Sequence, residues 1–148
     1  MDIRLANSTD FQQCLLFVNS LLEELGGKQL ALNTAHLVFS RLAENQDEGY
    51  ILVGEEDGRV VGVCTVSFQY AIRTAGRYAI IQEMYVIPEL RSLGIGTKLI
   101  QQAILEAQNR GCTAVELGTP TNGFRQEKLY QRLGFNPVGL RLRRTLNV

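Results

Sequence analysis

Net charge, long apolar runs, histidine and paired cysteines are all scarce in this chain, and each scarcity removes a class of function. The 148 residues carry 15 Lys and Arg against 15 Asp and Glu, a net charge of zero. No global field therefore draws the chain to nucleic acid or to an anionic membrane surface. No apolar run approaches the length that crosses a bilayer, and the N-terminus lacks a basic-then-apolar signal pattern. The three cysteines, Cys14, Cys64 and Cys112, are odd in number, and none forms C-x-x-C. Each sits in an apolar context, as expected of free thiols in a reduced, cytoplasmic compartment with no metal site. The one histidine, His36, has no spacing that would make it the base of a cysteine nucleophile. Repeats, linkers and low-complexity segments are also missing. What remains is 45% hydrophobic, enough for a core, at a length that predicts one domain over residues 1–148.

The apolar periodicity predicts alternating strands and helices. Ile3–Leu5 reads as a first strand, and Thr9 with Gln12 fits a capping box ahead of a helix. Phe11, Leu15, Val18, Leu22 and Leu25 define that helix's inward stripe, and Gly26-Gly27 ends it. Asn33 or Thr34 caps a second helix through about Ala43, with Leu37, Val38 and Leu42 inward. Tyr50–Val53 and Val60–Phe68 read as strands joined by a Glu55–Gly58 turn. Tyr70–Gly76 reads as a loop, and Tyr78–Ile87 as the next strand. A long helix runs from about Gly94 to Asn109. Thr113–Leu117 should then pair in parallel with the preceding strand. A helix over Gly123–Leu133, capped by Asn122, and a strand over Leu140–Leu146 complete the chain.

The most informative stretch is Met84–Leu99, a strand end, a glycine-bearing turn and a helix start. The first turn of a helix leaves N–H groups without partners at a positive dipole end. Gly94 and Gly96 remove side chains that would hold an anion away, and Arg91 adds a positive fork. The spacing does not fit a P-loop, because Lys98 lies two residues past Gly96 and Leu99 follows it. A Rossmann turn fails as well, because Leu99 occupies the third small position. An ordinary strand–helix junction is the plain alternative. What is present is V-x-P-x-x-R-x-x-G-I-G, from Val86 through Gly96.

This string resembles the coenzyme A pyrophosphate loop of the GNAT N-acetyltransferase superfamily. The element order and two further stretches, Val53–Gly62 and Leu129-Tyr130-Gln-Arg-Leu-Gly134-Phe135, are similar to the same family. The resemblance implies an α/β fold: a mixed, mostly antiparallel twisted sheet of about six to seven strands with helices on both faces, in the order β-α-α-β-β-β-α-β-α-β(-β). It implies acetyl-CoA as co-substrate and an amine on a small molecule or peptide as acceptor, attacked directly in a ternary complex. It also implies that backbone N–H groups from about Leu93 to Thr97, through Gly94, Ile95 and Gly96, bind the pyrophosphate, with Arg91 and Ser92 among the cofactor-binding residues. The strand edge at Tyr85 and Val86 would carry the pantetheine arm. Asn122 stands one residue early for the family's usual pantetheine contact, and Gly123 and Gln126 depart from the pattern there.

Two residues are candidates for proton transfer. Glu83 interrupts an apolar strand, and apolar surroundings raise a carboxyl pKa toward the range useful to a base. The structural alternative is an ion pair with Arg73, Arg77 or a sheet-edge neighbour. Tyr130 matches the family's acid tyrosine, and a phenol can protonate a leaving thiolate. Its alternative is a packed helix aromatic. His36 falls in a region that lines the acceptor site in the family, while Arg141, Arg143 and Arg144 read as a solvated strand face. The competing function is a non-catalytic coenzyme A-binding module, and a third is transfer of longer acyl groups. A homodimer is expected by analogy.

Overall fold

Two-residue turn chemistry sets up the centre of the sheet. Asp57 and Gly58 both adopt positive φ, at 51° and 76°, the twist that joins right-handed strands into a hairpin. They link β2 (Gly49–Glu56) to β3 (Arg59–Ala71). The computed structural model describes residues 1–119 and 124–147. These fall into two compact units, Met1–Leu117 and Gly118–Val148.

The first unit holds a five-stranded sheet in the order β1-β2-β3-β4-β5. β1 (Asp2–Leu5) pairs antiparallel with β2, and β3 pairs antiparallel with β4 (Gly76–Val86). β5 (Val115–Leu117) joins β4 in parallel after a helical crossover, as the sequence predicts. The β3–β4 hairpin runs further than expected. Its ladder extends to Ala71↔Gly76, so the predicted 70–76 loop shrinks to a single 3-10 turn over Ile72–Thr74 and Ala75 at φ 50°. Thr74 Oγ1 clamps that turn through the carbonyls of Ala71 and Gly76.

Helices cover both faces. α1 (Phe11–Glu24) and α2 (Leu32–Glu44) lie on one face and α3 (Ile95–Asn109) on the other. Tyr85 meets Phe17 of α1 with ring centroids 5.5 Å apart. Its neighbour Val86 points the other way, toward α3. The inward faces of α1 and α2 differ from the predicted stripes. Cys14 and Phe17 are the buried residues of α1, while Leu25 is 55% exposed. In α2 Phe39 is buried, and Leu37 and Val38 face outward. Both helices carry apolar residues around most of their circumference, so periodicity alone could not choose the face. The helix entry differs too. A 3-10 turn over Ser8–Asp10 precedes α1, and Asn7, not Thr9, caps that turn: Asn7 Oδ1 accepts from Thr9 N–H at 2.9 Å, and Asp10 Oδ2 accepts from Asn7 N–H at 2.8 Å. Asp10 is buried and bonded to Arg4 of β1 through both carboxylate oxygens, at 2.8 and 3.0 Å.

The second unit contains α4 (Phe124–Arg132). Gly134, at φ 94°, ends it, and Phe135 N–H returns to the Tyr130 carbonyl at 2.9 Å, a glycine-terminated helix end. The predicted strand over Leu140–Leu146 is not present, so the described sheet has five strands rather than six or seven. Leu140 and Leu142 are 94% and 91% exposed. Alternation of leucine and arginine fits a pleated strand, but a strand exists only where a neighbouring backbone supplies the ladder. No described residue supplies it. Asn122 and Gly123 lie outside the described residues.

Candidate active site

β4 carries the site because its pairing is interrupted. The register runs Thr65↔Glu83 and then Val66↔Ile81, so Gln82 is an extra residue on β4. Such a bulge re-aims side chains and frees backbone groups. Gln82 turns outward and donates from Nε2 to Ser67 Oγ at 2.8 Å. Glu83 is half-buried. Thr65 Oγ1 accepts from the Glu83 N–H at 3.1 Å and donates to Glu83 Oε1 at 2.6 Å. Burial pushes the Glu83 carboxyl above its usual range, and the Thr65 bond pulls the other way more weakly. Among the described residues Glu83 forms no ion pair, with Arg73 and Arg77 engaged elsewhere. Arg73 pairs with Glu116 at 3.4 Å, and Arg77 lies 4.1 Å over the Phe68 ring and bonds the Arg110 carbonyl.

The turn after β4 has the backbone of an anion site. A 3-10 turn over Pro88–Leu90 is followed by Ser92 at φ 69° and Gly94 at φ 89°. Ser92, Leu93 and Gly94 are exposed. The Lys98 N–H donates to Gly94 O at 3.1 Å. The N–H groups of Ile95, Gly96 and Thr97 therefore precede the first intrahelical bond, at the positive end of a 15-residue helix. Gly94 is the glycine that the turn requires, since its φ is open to few other residues.

Gly96 also has a packing role. A Cβ there would lie 3.3 Å from Met84 Cε and 3.9 Å from Val86 Cγ2. Its missing side chain lets α3 pack closely onto β4. Arg91 also turns back along β4. Its Nε donates to the Val86 carbonyl at 2.9 Å, and NH2 pairs with Glu24 at 2.7 Å. Its guanidinium lies 5.0 Å from the Tyr85 ring centroid. The Tyr85 and Val86 side chains are buried, the Tyr85 carbonyl faces Gly62 of β3, and the Val86 carbonyl is held by Arg91. β5 pairs only with Ala79–Ile81. Among the described residues, the β4 edge from Gln82 to Val86 has no strand beyond it.

His36 stacks edge-on to Phe11 at 4.7 Å and lines a shallow depression of about 320 Å³ with Leu32, Asn33 and Leu37. In the second unit, Tyr130 sits on α4, half-buried, with its ring 6.0 Å from Phe135. The cysteines are unpaired: Cys14 and Cys64 are buried and Cys112 is half-buried. Burial pushes the Cys14 and Cys64 thiols up to about 12, the state of inert core thiols. Thr65 is the site residue that sequence reasoning did not single out. Its only signal is a hydroxyl within the apolar run Val60–Phe68, and strand pairing decides what that hydroxyl faces.

Known proteins agree with this architecture. The chain is 34% identical over 102 residues to an uncharacterised N-acetyltransferase of Methanocaldococcus jannaschii, covering 68% of this chain and 45% of that one. It is 37% identical over 82 residues to the thialysine N-epsilon-acetyltransferase of Mus musculus, covering 55% and 48%. The chain thus spans about half the length of these relatives. An aminoglycoside N-acetyltransferase solved in complex with CoA has the same fold, with a TM-score of 0.82 at 17% identity over 99% of this chain and 95% of that one. The family model for the acetyltransferase (GNAT) family matches residues 18–135. With that match covering most of its length, and with the glycine-turned β4–α3 junction in place, the chain belongs to the GNAT acetyltransferase family.

Proposed function

We propose that the protein is an acetyl-CoA-dependent N-acetyltransferase acting on a primary amine of a small molecule or peptide, with residues 1–148 working as one domain. The observation that carries this reading is Glu83, a half-buried carboxylate with no ion-pair partner among the described residues, on the strand that leads into the glycine-turned β4–α3 junction. The match of the family model across both compact units supports the single-domain reading.

The residues present fit the co-substrate. The N–H groups of Ile95, Gly96 and Thr97, with the exposed turn at Ser92, Leu93 and Gly94, would hold the pyrophosphate. The β4 edge at Tyr85 and Val86, where Arg91 holds the Val86 carbonyl, would carry the pantetheine arm. Acetyl-CoA supplies the acetyl group as a thioester, and transfer forms one C–N bond and breaks one C–S bond. The chain's own task is to move two protons. Ionised Glu83 takes a proton from the ammonium so that the nitrogen lone pair is free, and its raised pKa narrows the gap to the amine. Tyr130 is assigned the other, delivered from its phenol to the departing sulfur, on the strength of the family match at Leu129-Tyr130; the second proton that the nitrogen sheds on becoming an amide restores the phenol through solvent.

The names of the relatives suggest amines to try first: thialysine and an aminoglycoside. The test is release of free thiol from acetyl-CoA in the presence of each. Release that depends on the amine is the expected result. Tight acetyl-CoA binding in calorimetry without thiol release from any amine would select a non-catalytic coenzyme A-binding module instead.

A further inference from the structure

Two polar or charged residues are buried among the described residues, Asp10 and Thr65. Asp10 is accounted for by Arg4. Thr65 stands at the centre of β3, flanked by Cys64 and Val66, both fully buried. A valine there would continue the strand without a hydroxyl to satisfy. The hydroxyl has two partners, both on one residue of the neighbouring strand: the Glu83 N–H at 3.1 Å and Glu83 Oε1 at 2.6 Å. The second bond is not needed to satisfy the backbone at the bulge. A threonine is also stiff at χ1, so its hydroxyl holds one direction.

We propose that Thr65 is a positioning residue for Glu83, its hydroxyl fixing the carboxylate through Oε1 and leaving Oε2 as the oxygen that receives the proton of the acceptor amine. This rests on the reading of Glu83 as the base. No described residue bonds Oε2. The bond from Thr65 also stabilises the ionised carboxylate, so it keeps a half-buried glutamate competent as a base at neutral pH.

Other titratable groups around β4 do not provide this control. Cys64 of β3 and Cys14 of α1 are buried neutral thiols. On α1, Glu23 is exposed and Glu24 is paired with Arg91. Glu116 of β5 is paired with Arg73. On α3, across the sheet, Glu106 is paired with Arg110 and Lys98 is exposed. On β4 itself, Tyr85 packs against Phe17, and Arg77 and Tyr78 lie more than a turn of strand away.

The experiment is a carbon-13 NMR pH titration of the full chain labelled at glutamate carboxyl and threonine side-chain carbons, with no ligand added. The Glu83 signal is identified by its loss in Glu83→Gln. In the unaltered protein the Thr65 Cβ shift should follow the Glu83 titration. In Thr65→Val the Glu83 midpoint should rise by about half to one pH unit, and Thr65→Ser should return it to the original value. Acetyl-CoA affinity should stay within about twofold in both variants, and with an amine that turns over, the acid limb of the rate profile should move with the carboxyl. A Thr65→Val midpoint equal to the original overturns the inference. Should that variant not fold, a Thr65 Cβ shift that ignores the Glu83 titration in the unaltered protein overturns it equally. Wild-type turnover and an unchanged acid limb in Glu83→Gln overturn the base reading itself. Loss of the limb in Glu83→Gln with no shift in Thr65→Val overturns only the role of Thr65.

Discussion

Glu24, the last residue of α1, and Arg91, in the turn after β4, are joined by a 2.7 Å ion pair across 67 residues of sequence. Arg91 also donates to the Val86 carbonyl, so one guanidinium ties a helix end to the edge of β4. The ion pair is exposed, and Glu24→Gln should cost less than about 1 kcal/mol of stability in chemical denaturation. It also releases the guanidinium. If Arg91 adds to the pyrophosphate site, Glu24→Gln should leave acetyl-CoA affinity intact, whereas Arg91→Ala should weaken it roughly threefold to tenfold, about 0.7 to 1.4 kcal/mol. The Arg91→Ala loss should shrink at high salt. Equal affinities for Arg91→Ala and the unaltered protein, measured by calorimetry, would confine Arg91 to its structural bonds.

The two glycines of the turn should respond differently to substitution. Gly94→Ala places a Cβ in open space but at a φ of 89°, and should cost roughly 1 to 2 kcal/mol through backbone strain. Gly96→Ala presses on the flexible end of Met84 and should cost less than about 1 kcal/mol, while Gly96→Val meets Val86 as well and should cost about 1 to 3 kcal/mol. Thermal midpoints check the order. A Gly96→Val protein as stable as the original would refute the close packing of α3 on β4.

Glu83→Gln keeps the shape and removes the base. Turnover should fall roughly 10²-fold or more, and the acid limb of the pH–rate profile should vanish. Stability should move in the opposite direction. Burial raises the folded pKa of Glu83, so folding penalises its ionised form. The stability linked to this group is fully present below the unfolded value, about 4.3, and is lost as the pH rises through the raised folded value. Glu83→Gln should therefore be more stable than the original at pH 7, with the gain disappearing near pH 4. Denaturation curves at the two pH values test the sign.

Asp10 should show the reverse dependence. Its bonds to Arg4 hold the carboxyl below the usual range, against the opposing effect of burial. The resulting stability is present above the unfolded value, about 3.9, and is lost as the pH falls through the lower folded value. Asp10→Asn should cost about 1.5 to 3 kcal/mol at pH 7, the range for bonds to a charged group. The cost should diminish under strongly acid conditions, read from urea midpoints across pH.

Tyr130→Phe removes only a hydroxyl. If that hydroxyl protonates the leaving sulfur, turnover should fall on the order of tenfold to several hundredfold, with the Michaelis constant for the amine nearly unchanged. Unaltered turnover in steady-state kinetics would mean that another donor serves the thiolate.

What the sequence determined by itself is local. The Asp57-Gly58 turn, the Gly94 start of α3 and the Gly134 end of α4 follow from φ values that few residues tolerate, so the residue types name the conformation. The strand–turn–helix order around Val86–Gly96 follows from them, and with it the family. Glu83 was legible as a charge in an apolar strand. The tertiary structure decided everything that depends on partners distant in the chain. It chose Cys14 and Phe17 over the predicted stripe of α1, because helix burial depends on which face the sheet meets. It left Leu140–Leu146 without a ladder, because a strand needs a neighbour. It turned Arg91 toward Glu24, and it inserted Gln82 as a bulge, bringing the Thr65 hydroxyl onto the Glu83 carboxylate. Register between strands is a long-range property, and a shift of one residue would have put that hydroxyl on the opposite face.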